Sequence, residues 1–235
     1  MLLLLLAALA GAETPTHECR RAKEPIKLDG VADEDVWKGA EAINDFTLAW
    51  LGKDKRAAKT KTVAKLLWDD EYLYFHADMV DHDLYADITE HDGQTWDNDV
   101  FELFFMPDTS KLGYYEFQAS AAGTRMDMFL PSRGSGAFRR WKAAHDFAWE
   151  VKVARQGTLN KYTDRDEGWS VEGRFPWRDF APTGGRPAPG AQWKFALCRY
   201  DYSVDFAEPE LSSCAPLQVL SFHRYEDYAV LKFVK

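Results

Sequence analysis

The stretch TKTVAKLLWDDEYLYFHADMVD, residues 60–81, decides the fold class. In it, two segments of alternating apolar residues flank a polar triplet, Asp69-Asp70-Glu71. Such alternation places successive side chains on opposite faces of a strand, and a short polar triplet suits a tight turn. The stretch therefore predicts a β-hairpin with one face in a hydrophobic core.

Strand signals of the same kind recur on both sides of the hairpin and account for most of the chain. Helical turns are predicted only at 33–40 and 177–180, and we find no amphipathic helix long enough to connect parallel strands. We therefore predict an all-β protein, an antiparallel β-sandwich of the jelly-roll or immunoglobulin-like kind with short helical turns. The further strands are predicted at 25–30, 44–50, 99–107, 114–130 (two strands around Ala122-Gly123), 147–154, 168–177, 193–202, 217–222 and 227–235.

The first twelve residues, MLLLLLAALAGA, have the character of a secretory signal. Their apolar run is too short to span a bilayer and ends in the small residues Ala10-Gly11-Ala12. We expect residues 1–12 to be a signal peptide, residues 13–235 to form one sandwich domain, and the protein to be secreted or periplasmic. The Pro/Gly-rich segment APTGGRPAPG, 181–190, is predicted to be a surface loop.

Charge and cysteine content limit the partners and the redox chemistry. A formal net charge of −9 argues against a nucleic-acid partner, which would require a basic face, and no membrane partner is expected. In an exported protein a disulfide is expected, but Cys19, Cys198 and Cys214 allow three single pairings. The sequence does not choose among them.

The segment GQTWDNDVFELFF, 93–105, contains the most informative polar and aromatic residues. Trp96 is surrounded by hydrogen-bonding side chains, so it either stacks on a sugar ring or seals the edge of the core. The neighbouring carboxylates are either calcium ligands or solvated turn residues, with Asp97 and Asp99 as candidate ligands. No other cofactor is required by the sequence.

Glu102 interrupts an apolar strand in the same segment. Strand alternation places it on one face with Val100 and Phe104. A carboxylate on such a face needs a partner, because burying it alone is costly. Glu102 is therefore predicted either to accept hydrogen bonds from sugar hydroxyls or to pair with an arginine such as Arg125.

Taken in order, the segments PIKLDGVADEDVWKGA, WDDEYLYFHADMVD, WDNDVFELFF and FPWRDF resemble the family 9 carbohydrate-binding modules. The resemblance runs from Ile26 to Phe180, with a looser tail. It implies a β-sandwich that binds plant-type polysaccharide or its chain ends without cleaving them, in the company of polysaccharide-degrading enzymes. It also implies that structural calcium occurs in some members.

The same resemblance implies roles for individual residues. Trp96 corresponds to the first of two stacking tryptophans, Glu102 to a hydrogen-bonding glutamate, and Arg125 to a sugar-contacting arginine. The tail SFHRYEDYAVLKF contains no tryptophan, so Tyr228 or Tyr225 is the expected second aromatic wall. The remaining matched residues, Asp29, Gly30, Trp37 and Trp68, are assigned to turns and packing.

Two other function classes stay open. A haem- or redox-binding sandwich could use His76, Met79, Met126 and Met128, although methionine more commonly fills gaps in a core. A glycoside hydrolase needs two carboxylates, and 38 acidic residues supply many unspecific pairs. The predicted function remains a secreted, non-catalytic carbohydrate-binding protein acting in carbohydrate catabolism.

Overall fold

The computed structural model describes residues 14–111, 113–135 and 147–235, and the expected signal peptide lies outside these ranges. The described residues form eleven strands joined by turns and short 3₁₀-helices. The strands are β1 Thr16–Arg21, β2 Thr62–Trp68, β3 Tyr72–Val80, β4 Val100–Met106, β5 Tyr114–Ser120, β6 Arg125–Leu130, β7 Glu150–Gln156, β8 Gly168–Pro176, β9 Gln192–Asp201, β10 Glu210–Ser213 and β11 Ala229–Val234. The 3₁₀-helices cover Asp35–Gly39, Ala49–Asp54, Thr95–Asp97, Trp177–Thr183 and Tyr225–Asp227.

The central hairpin is confirmed. β2 and β3 pair in antiparallel register from Thr62 opposite Met79 to Trp68 opposite Leu73. Asp69 closes the turn, because its carboxylate accepts the backbone N–H groups of Glu71 and Tyr72 at 2.7 and 2.8 Å. An aspartate that bonds the backbone two residues ahead is the ordinary chemistry of such a turn.

The strands form one sheet that folds over into two packed layers. The order is β6-β5-β4-β9-β11-β1-β2-β3-β8-β7, and β10 pairs with β9. One layer is built around β4, β5 and β9 and the other around β2, β3 and β8. The pairings are antiparallel except at β1, which runs parallel to both β11 and β2 and so departs from the antiparallel arrangement expected. The finer jelly-roll or immunoglobulin-like order stays a prediction.

The core between the layers is built largely from aromatic rings. Phe117 of β5 packs on Phe175 of β8 with ring centroids 4.5 Å apart, and Phe75 of β3 stacks against Phe175 at 5.3 Å. Trp149 lies on the same ring at 5.2 Å. Each of these side chains is fully buried. Burial of one such ring contributes about 1.5–3 kcal/mol, so the cluster is a major source of stability.

Three predicted strands are not strands in the structure. At 25–30 the backbone N–H groups of Asp29 and Gly30 donate to the Glu172 carboxylate instead of to a neighbouring strand. In the segment 44–50, Thr47 makes isolated bridges and the 3₁₀-helix begins at Ala49, whereas 217–222 forms turns. In the last case Phe222 is buried while Leu220 is exposed, so the apolar residues pack as a loop. Two short strands, β1 and β10, escaped prediction.

The three cysteines do not form a disulfide. Cys19, Cys198 and Cys214 are buried free thiols, so the expected disulfide is absent from the structure. Burial raises the pKa of all three thiols, which keeps them protonated and unreactive.

Within the described ranges, no helix combines the length and the apolar character needed to cross a bilayer.

Candidate functional site

A cleft of about 290 Å³ lies on the outer face of the layer formed by β4, β5, β6 and β9. Its floor comes from the strands, and its walls come from the Trp96 turn and from the loop after β10. Apolar and carboxyl groups alternate across it, a mixture typical of small-ligand sites. The lining residues are Trp96, Glu102, Phe104, Glu116, Gln118, Met128, Leu130, Tyr200, Ser221, Phe222 and His223.

Strand alternation places two glutamates on the cleft floor. Glu102 lies beside Gln118 and Phe104 beside Glu116 in the β4–β5 register, so the two carboxyl groups are diagonal neighbours on one face. The intervening side chains of β4 point into the core. Glu102 therefore shares a face with Phe104, as the alternation predicts. Glu116 and Gln118 alternate in YYEFQAS just as Glu102 does in VFELFF, a signal that could have identified them from the sequence.

Both glutamates are buried, and burial raises the pKa of each carboxyl group. Glu102 is 2% exposed and Glu116 is 4% exposed. Burial, reinforced by the neighbouring Glu116, raises the pKa of Glu102 well above its ordinary value. Burial also raises the pKa of Glu116. The cleft therefore favours neutral carboxyl groups, which can donate as well as accept hydrogen bonds.

Some carboxyl oxygens on the cleft floor accept no hydrogen bond from the described part of the protein. The Gln118 amide donates to Glu116 Oε1 at 2.7 Å, and Thr95 Oγ1 donates to Gln118 Oε1 at 2.5 Å. Glu116 Oε2 is buried without a hydrogen-bond partner. Among the described residues, no side chain donates a hydrogen bond to the Glu102 carboxyl group either. An unsatisfied buried oxygen is costly, so these atoms are available to a ligand's hydroxyl groups.

Trp96 forms one wall of the cleft. It lies in the 3₁₀-helix Thr95–Asp97, which the Thr95–Gln118 bond ties to the floor. The hydroxyl of Tyr202 donates to the Trp96 carbonyl at 2.9 Å and holds the turn from the other side. The indole is half-buried against the core and also lines the cleft. Both interpretations of Trp96 thus describe part of its environment.

The loop after β10 forms the other wall, with residues that sequence reasoning missed. Phe222 packs on Tyr200 with centroids 5.3 Å apart. His223 packs edge-on against Phe104 at 5.5 Å, and its Nδ1 lies 2.9 Å from the Tyr114 hydroxyl. The expected aromatic wall therefore comes from the predicted tail segment but from other residues within it.

The two tyrosines proposed for this wall occupy different positions. Tyr228 is fully buried, and its hydroxyl donates to the Phe222 carbonyl at 2.6 Å, so it supports the loop from beneath and cannot contact a ligand directly. Tyr225 packs on Tyr114 at 5.3 Å, outside the cleft lining. Both assignments were wrong, because the Phe222 loop covers Tyr228 and Tyr225 lies outside the cleft.

Arg125 is not brought to the cleft. Met128 and Leu130 of β6 line the cleft, so the odd-numbered residues of this strand face the opposite side. Arg125 there donates to the Trp149 carbonyl, and its guanidinium lies 5.8 Å from the Trp149 ring centroid. The sugar contact and the pairing with Glu102 predicted for Arg125 are therefore both inconsistent with its position.

The candidate metal ligands separate in the structure. Asp97 is exposed, whereas Asp99 is fully buried and joins Asp81 and Asp201, with carboxylate oxygens within 4.8 Å of one another. Arg199 donates to Asp81 at 3.0 Å and lies 3.3 Å from Asp201. Burial raises the pKa of Asp81 to about 7 and raises those of Asp99 and Asp201.

Three carboxylates with one arginine carry excess negative charge when ionised, and Asp201 Oδ1 is buried without a hydrogen-bond partner. Hard oxygen donors of this kind suit calcium, so the residues fit a divalent cation. A second group, His91, Asp92 and Asp127, lies at the edge strand β6.

The residues considered for haem do not form one site. Met128 lines the cleft on the outer face of one layer. His76 lies on the outer face of the other layer, where its ring packs on Trp37 at 5.9 Å. Burial lowers the pKa of His76. Met79 packs in the hydrophobic core, and Met126 is buried on the same face of β6 as Met128, so both fill space as methionine ordinarily does.

Fold and cleft together define the class: an all-β sandwich with an aromatic and carboxyl-lined cleft on an outer sheet face, as carbohydrate-binding domains have. The chain belongs to the carbohydrate family 9 binding domain-like family, whose model matches residues 28–210. The family is one of binding domains rather than of catalytic domains.

Curated relatives are much longer enzymes that share only this region. The chain is 36% identical over 172 residues to exoglucanase XynX of Acetivibrio thermocellus, covering 67% of the chain and 15% of that protein. It is 26% identical over 158 residues to endo-1,4-beta-xylanase A of Thermoanaerobacterium saccharolyticum, covering 67% of the chain and 11% of that enzyme. The chain therefore spans less than a sixth of the length of either relative.

Solved structures share the fold. A crystal structure from Bacteroides uniformis superposes with a TM-score of 0.73, at 14% identity and over 94% of this chain and all of that one. A family 9 carbohydrate-binding module from Caldicellulosiruptor kristjanssonii, solved with cellotriose, superposes with a TM-score of 0.61 at 14% identity, covering 93% of both chains. At such identity these likenesses concern the fold alone.

Proposed function

We propose that this chain is a secreted, non-catalytic carbohydrate-binding protein that holds a plant-type oligosaccharide or polysaccharide chain end in the Trp96 cleft. The observation that carries the proposal is the floor of the cleft. Two buried carboxyl groups and a side-chain amide lie there beside an aromatic wall, on one small concave surface, and the chain belongs to a family of carbohydrate-binding domains. A relative solved with cellotriose makes β-linked glucose oligomers the first ligands to test.

Each group has a distinct part in binding. The Trp96 ring stacks on the apolar C–H face of a pyranose, and Phe222 provides a second apolar surface. Glu116 Oε2 and the Glu102 carboxyl group, which accept no hydrogen bond from the described residues, exchange hydrogen bonds with sugar hydroxyls. Gln118 is held by Thr95 and Glu116 and therefore fixes the floor rather than reaching outward. Preorganised groups of this kind reduce the entropic cost of binding.

Calorimetry with cellotriose on the wild type, Trp96→Ala and Trp96→Phe tests the site. We expect Trp96→Ala to weaken binding roughly five- to 150-fold, since loss of one aromatic stacking contact costs roughly 1–3 kcal/mol. Trp96→Phe should retain part of the affinity. Tyr72→Ala, a half-buried aromatic on the outer face of the other layer, is the matched control. Equal affinity of the wild type and Trp96→Ala would contradict the assignment.

The alternative of hydrolysis can be tested on the same protein. Glycoside hydrolysis needs one ionised and one protonated carboxyl group at the scissile bond. Burial raises the pKa of both cleft glutamates and so disfavours the ionised partner. We expect no reducing-sugar release from xylan or glucan, and release abolished by Glu102→Gln would overturn the non-catalytic role. Association with polysaccharide-degrading enzymes is proposed because the curated relatives are such enzymes.

We also propose a structural calcium ion at Asp81, Asp99 and Asp201. A dication there would offset the excess negative charge and satisfy Asp201 Oδ1. A ligand present at about 100 times its Kd stabilises the folded state by about 2.7 kcal/mol. For a domain of this length that corresponds to a rise in Tm of roughly 5–11 °C.

Thermal unfolding in EDTA and in calcium chloride measures this shift directly. We expect Asp201→Asn to abolish the shift and Asp92→Asn, which belongs to the other cluster, to retain it. An unchanged wild-type Tm in calcium would show that Arg199 and protons alone balance the cluster.

A further inference from the structure

A second pocket, of about 320 Å³, lies beside the Trp96 cleft, and the site described above assigns it no role. We define the tyrosine surface by three residues, Tyr85, Tyr162 and Tyr202, all of which line it. Tyr162 is 70% exposed and its neighbour Val204 is 67% exposed. These are the two most exposed large apolar side chains in the part of the chain that the structure describes, so the surface is costly to leave in water.

Most polar groups around this surface already have partners within the protein. The Tyr85 hydroxyl donates to Asp87 at 3.0 Å, and the Tyr202 hydroxyl donates to the Trp96 carbonyl at 2.9 Å. Asp83 accepts the backbone N–H of Val204 at 2.8 Å. A ligand therefore meets mainly ring faces and apolar edges.

The backbone that carries the rings is also held in place from below. The Asp99 carboxylate accepts the backbone N–H of Tyr85 at 2.6 Å and that of Tyr202 at 2.7 Å. Asn160 anchors the loop that carries Tyr162, because its side-chain amide both donates to and accepts from the backbone of Ala86 at 2.9 and 2.7 Å. Rigid aromatic faces bind with little loss of side-chain entropy, which favours a ligand site over a mobile surface.

The tyrosine surface is linked to the cleft through Tyr202. Tyr200 lines the cleft, Tyr202 lines the tyrosine surface, and the two are separated by one residue at the end of β9. The Tyr202–Trp96 hydrogen bond joins the two walls. A ligand whose terminal sugar occupies the cleft can therefore continue over Tyr202 and Tyr85.

We propose that the tyrosine surface binds further sugar residues of the same chain, so that the site recognises a neutral, β-linked oligosaccharide rather than a single terminal sugar. This inference rests on the proposed function of the cleft. Neutral sugars fit because their C–H faces match the ring faces, while the nearby Asp83 and Asp87 disfavour an anionic polysaccharide. The surface adds length specificity that the cleft alone does not provide.

Calorimetry with cellobiose and cellohexaose distinguishes this extension from the cleft itself. Loss of one aromatic face in Tyr162→Ala should weaken cellohexaose binding roughly three- to tenfold, the equivalent of about 0.7–1.4 kcal/mol. Cellobiose, which by this proposal occupies the cleft alone, should bind as it does to the wild type. Tyr162→Phe retains the ring face and should bind cellohexaose within about twofold of the wild type.

The outcomes separate the two proposals. Weakened binding of both sugars by Trp96→Ala, together with unchanged cellohexaose binding by Tyr162→Ala, overturns the tyrosine surface and leaves the cleft intact. Equal weakening of both sugars by Tyr162→Ala also overturns it, because the effect would then be structural. Unchanged binding of both sugars by Trp96→Ala overturns the cleft as proposed.

Discussion

Replacement of Arg199 by methionine tests the electrostatics of the core most directly. Arg199 is 1% exposed and is the only cation in direct contact with Asp81 and Asp201 among the described residues. Methionine has similar length and keeps the apolar packing, so the change removes mainly charge and hydrogen bonds. Removing one partner of a buried ion pair leaves an uncompensated charge and costs about 3–5 kcal/mol.

The loss should depend on pH in a defined direction. The pKa of Asp81 in the folded protein is about 7, above its ordinary value of 3.8, mainly because of burial. Its contribution to stability is therefore complete below about pH 4 and is lost as pH rises through about 7. At pH 5 the Asp81 carboxyl group is largely protonated, so loss of Arg199 should cost little there. At pH 8.5 it is ionised, and the full cost should appear.

Urea unfolding in EDTA at pH 5 and pH 8.5 measures the difference. The matched control is Arg174→Met, which breaks the partly exposed pair with Glu150 at 2.8 Å and should cost less than about 1 kcal/mol at either pH. A loss at pH 8.5 no larger than that of Arg174→Met would refute the reasoning. So would a loss at pH 5 equal to that at pH 8.5, because the cost would then come from packing.

Two further predictions concern the cleft floor and the core. Burial holds the pKa of Glu102 well above 4.5, so the stabilising contribution of Glu102 is present below about pH 4.5 and lost at higher pH. The free energy of unfolding of Glu102→Gln should therefore exceed that of the wild type by about 1–3 kcal/mol at pH 8 and differ little from it at pH 4. The same variant should bind cellotriose less tightly. Urea unfolding checks this, with the exposed Glu150→Gln as the control. A gain in stability from Glu102→Gln that is larger at pH 4 than at pH 8 would contradict the prediction. Gly173→Ala would place a methyl carbon 2.3 Å from the Phe75 ring and 2.7 Å from the Glu150 carbonyl oxygen, so overpacking should cost about 1–3 kcal/mol. Gly39→Ala, which meets nothing within 4 Å, should be near neutral by the same measurement, and equal stability of the two variants would show that the strands adjust.

Much of the fold could be predicted from local pattern. The β2–β3 hairpin and the β4 to β6 meander have strong alternation and clear turns, and each is a local antiparallel pairing. β1 could not be recognised in the same way, because THECRR is polar and its order comes from parallel partners more than 40 residues away in sequence. Apolar content alone misled at 217–222, where packing onto the cleft replaces strand pairing.

The candidate site was predictable only where alternation applies. Glu102 was correctly placed on a face with Phe104, and the same rule extends to Glu116 and Gln118. The opposite wall depends on how the loop at 221–223 crosses the sheet, and no periodic signal encodes that path. Arg125 failed for a related reason, since a one-residue difference in register decides which face a strand residue occupies.

Asp99 connects the core, the cleft and the tyrosine surface. The sequence left this carboxylate undecided between a metal ligand and a solvated turn, and the structure places it at 0% exposure beside Asp81 and Asp201. Its two oxygens hold the backbones of Tyr85 and Tyr202, and Tyr202 in turn holds the Trp96 turn. Whatever neutralises the buried cluster therefore also fixes both aromatic surfaces. Charge balance in the core and affinity for a sugar chain should consequently change together, although no residue of the cluster lines the cleft.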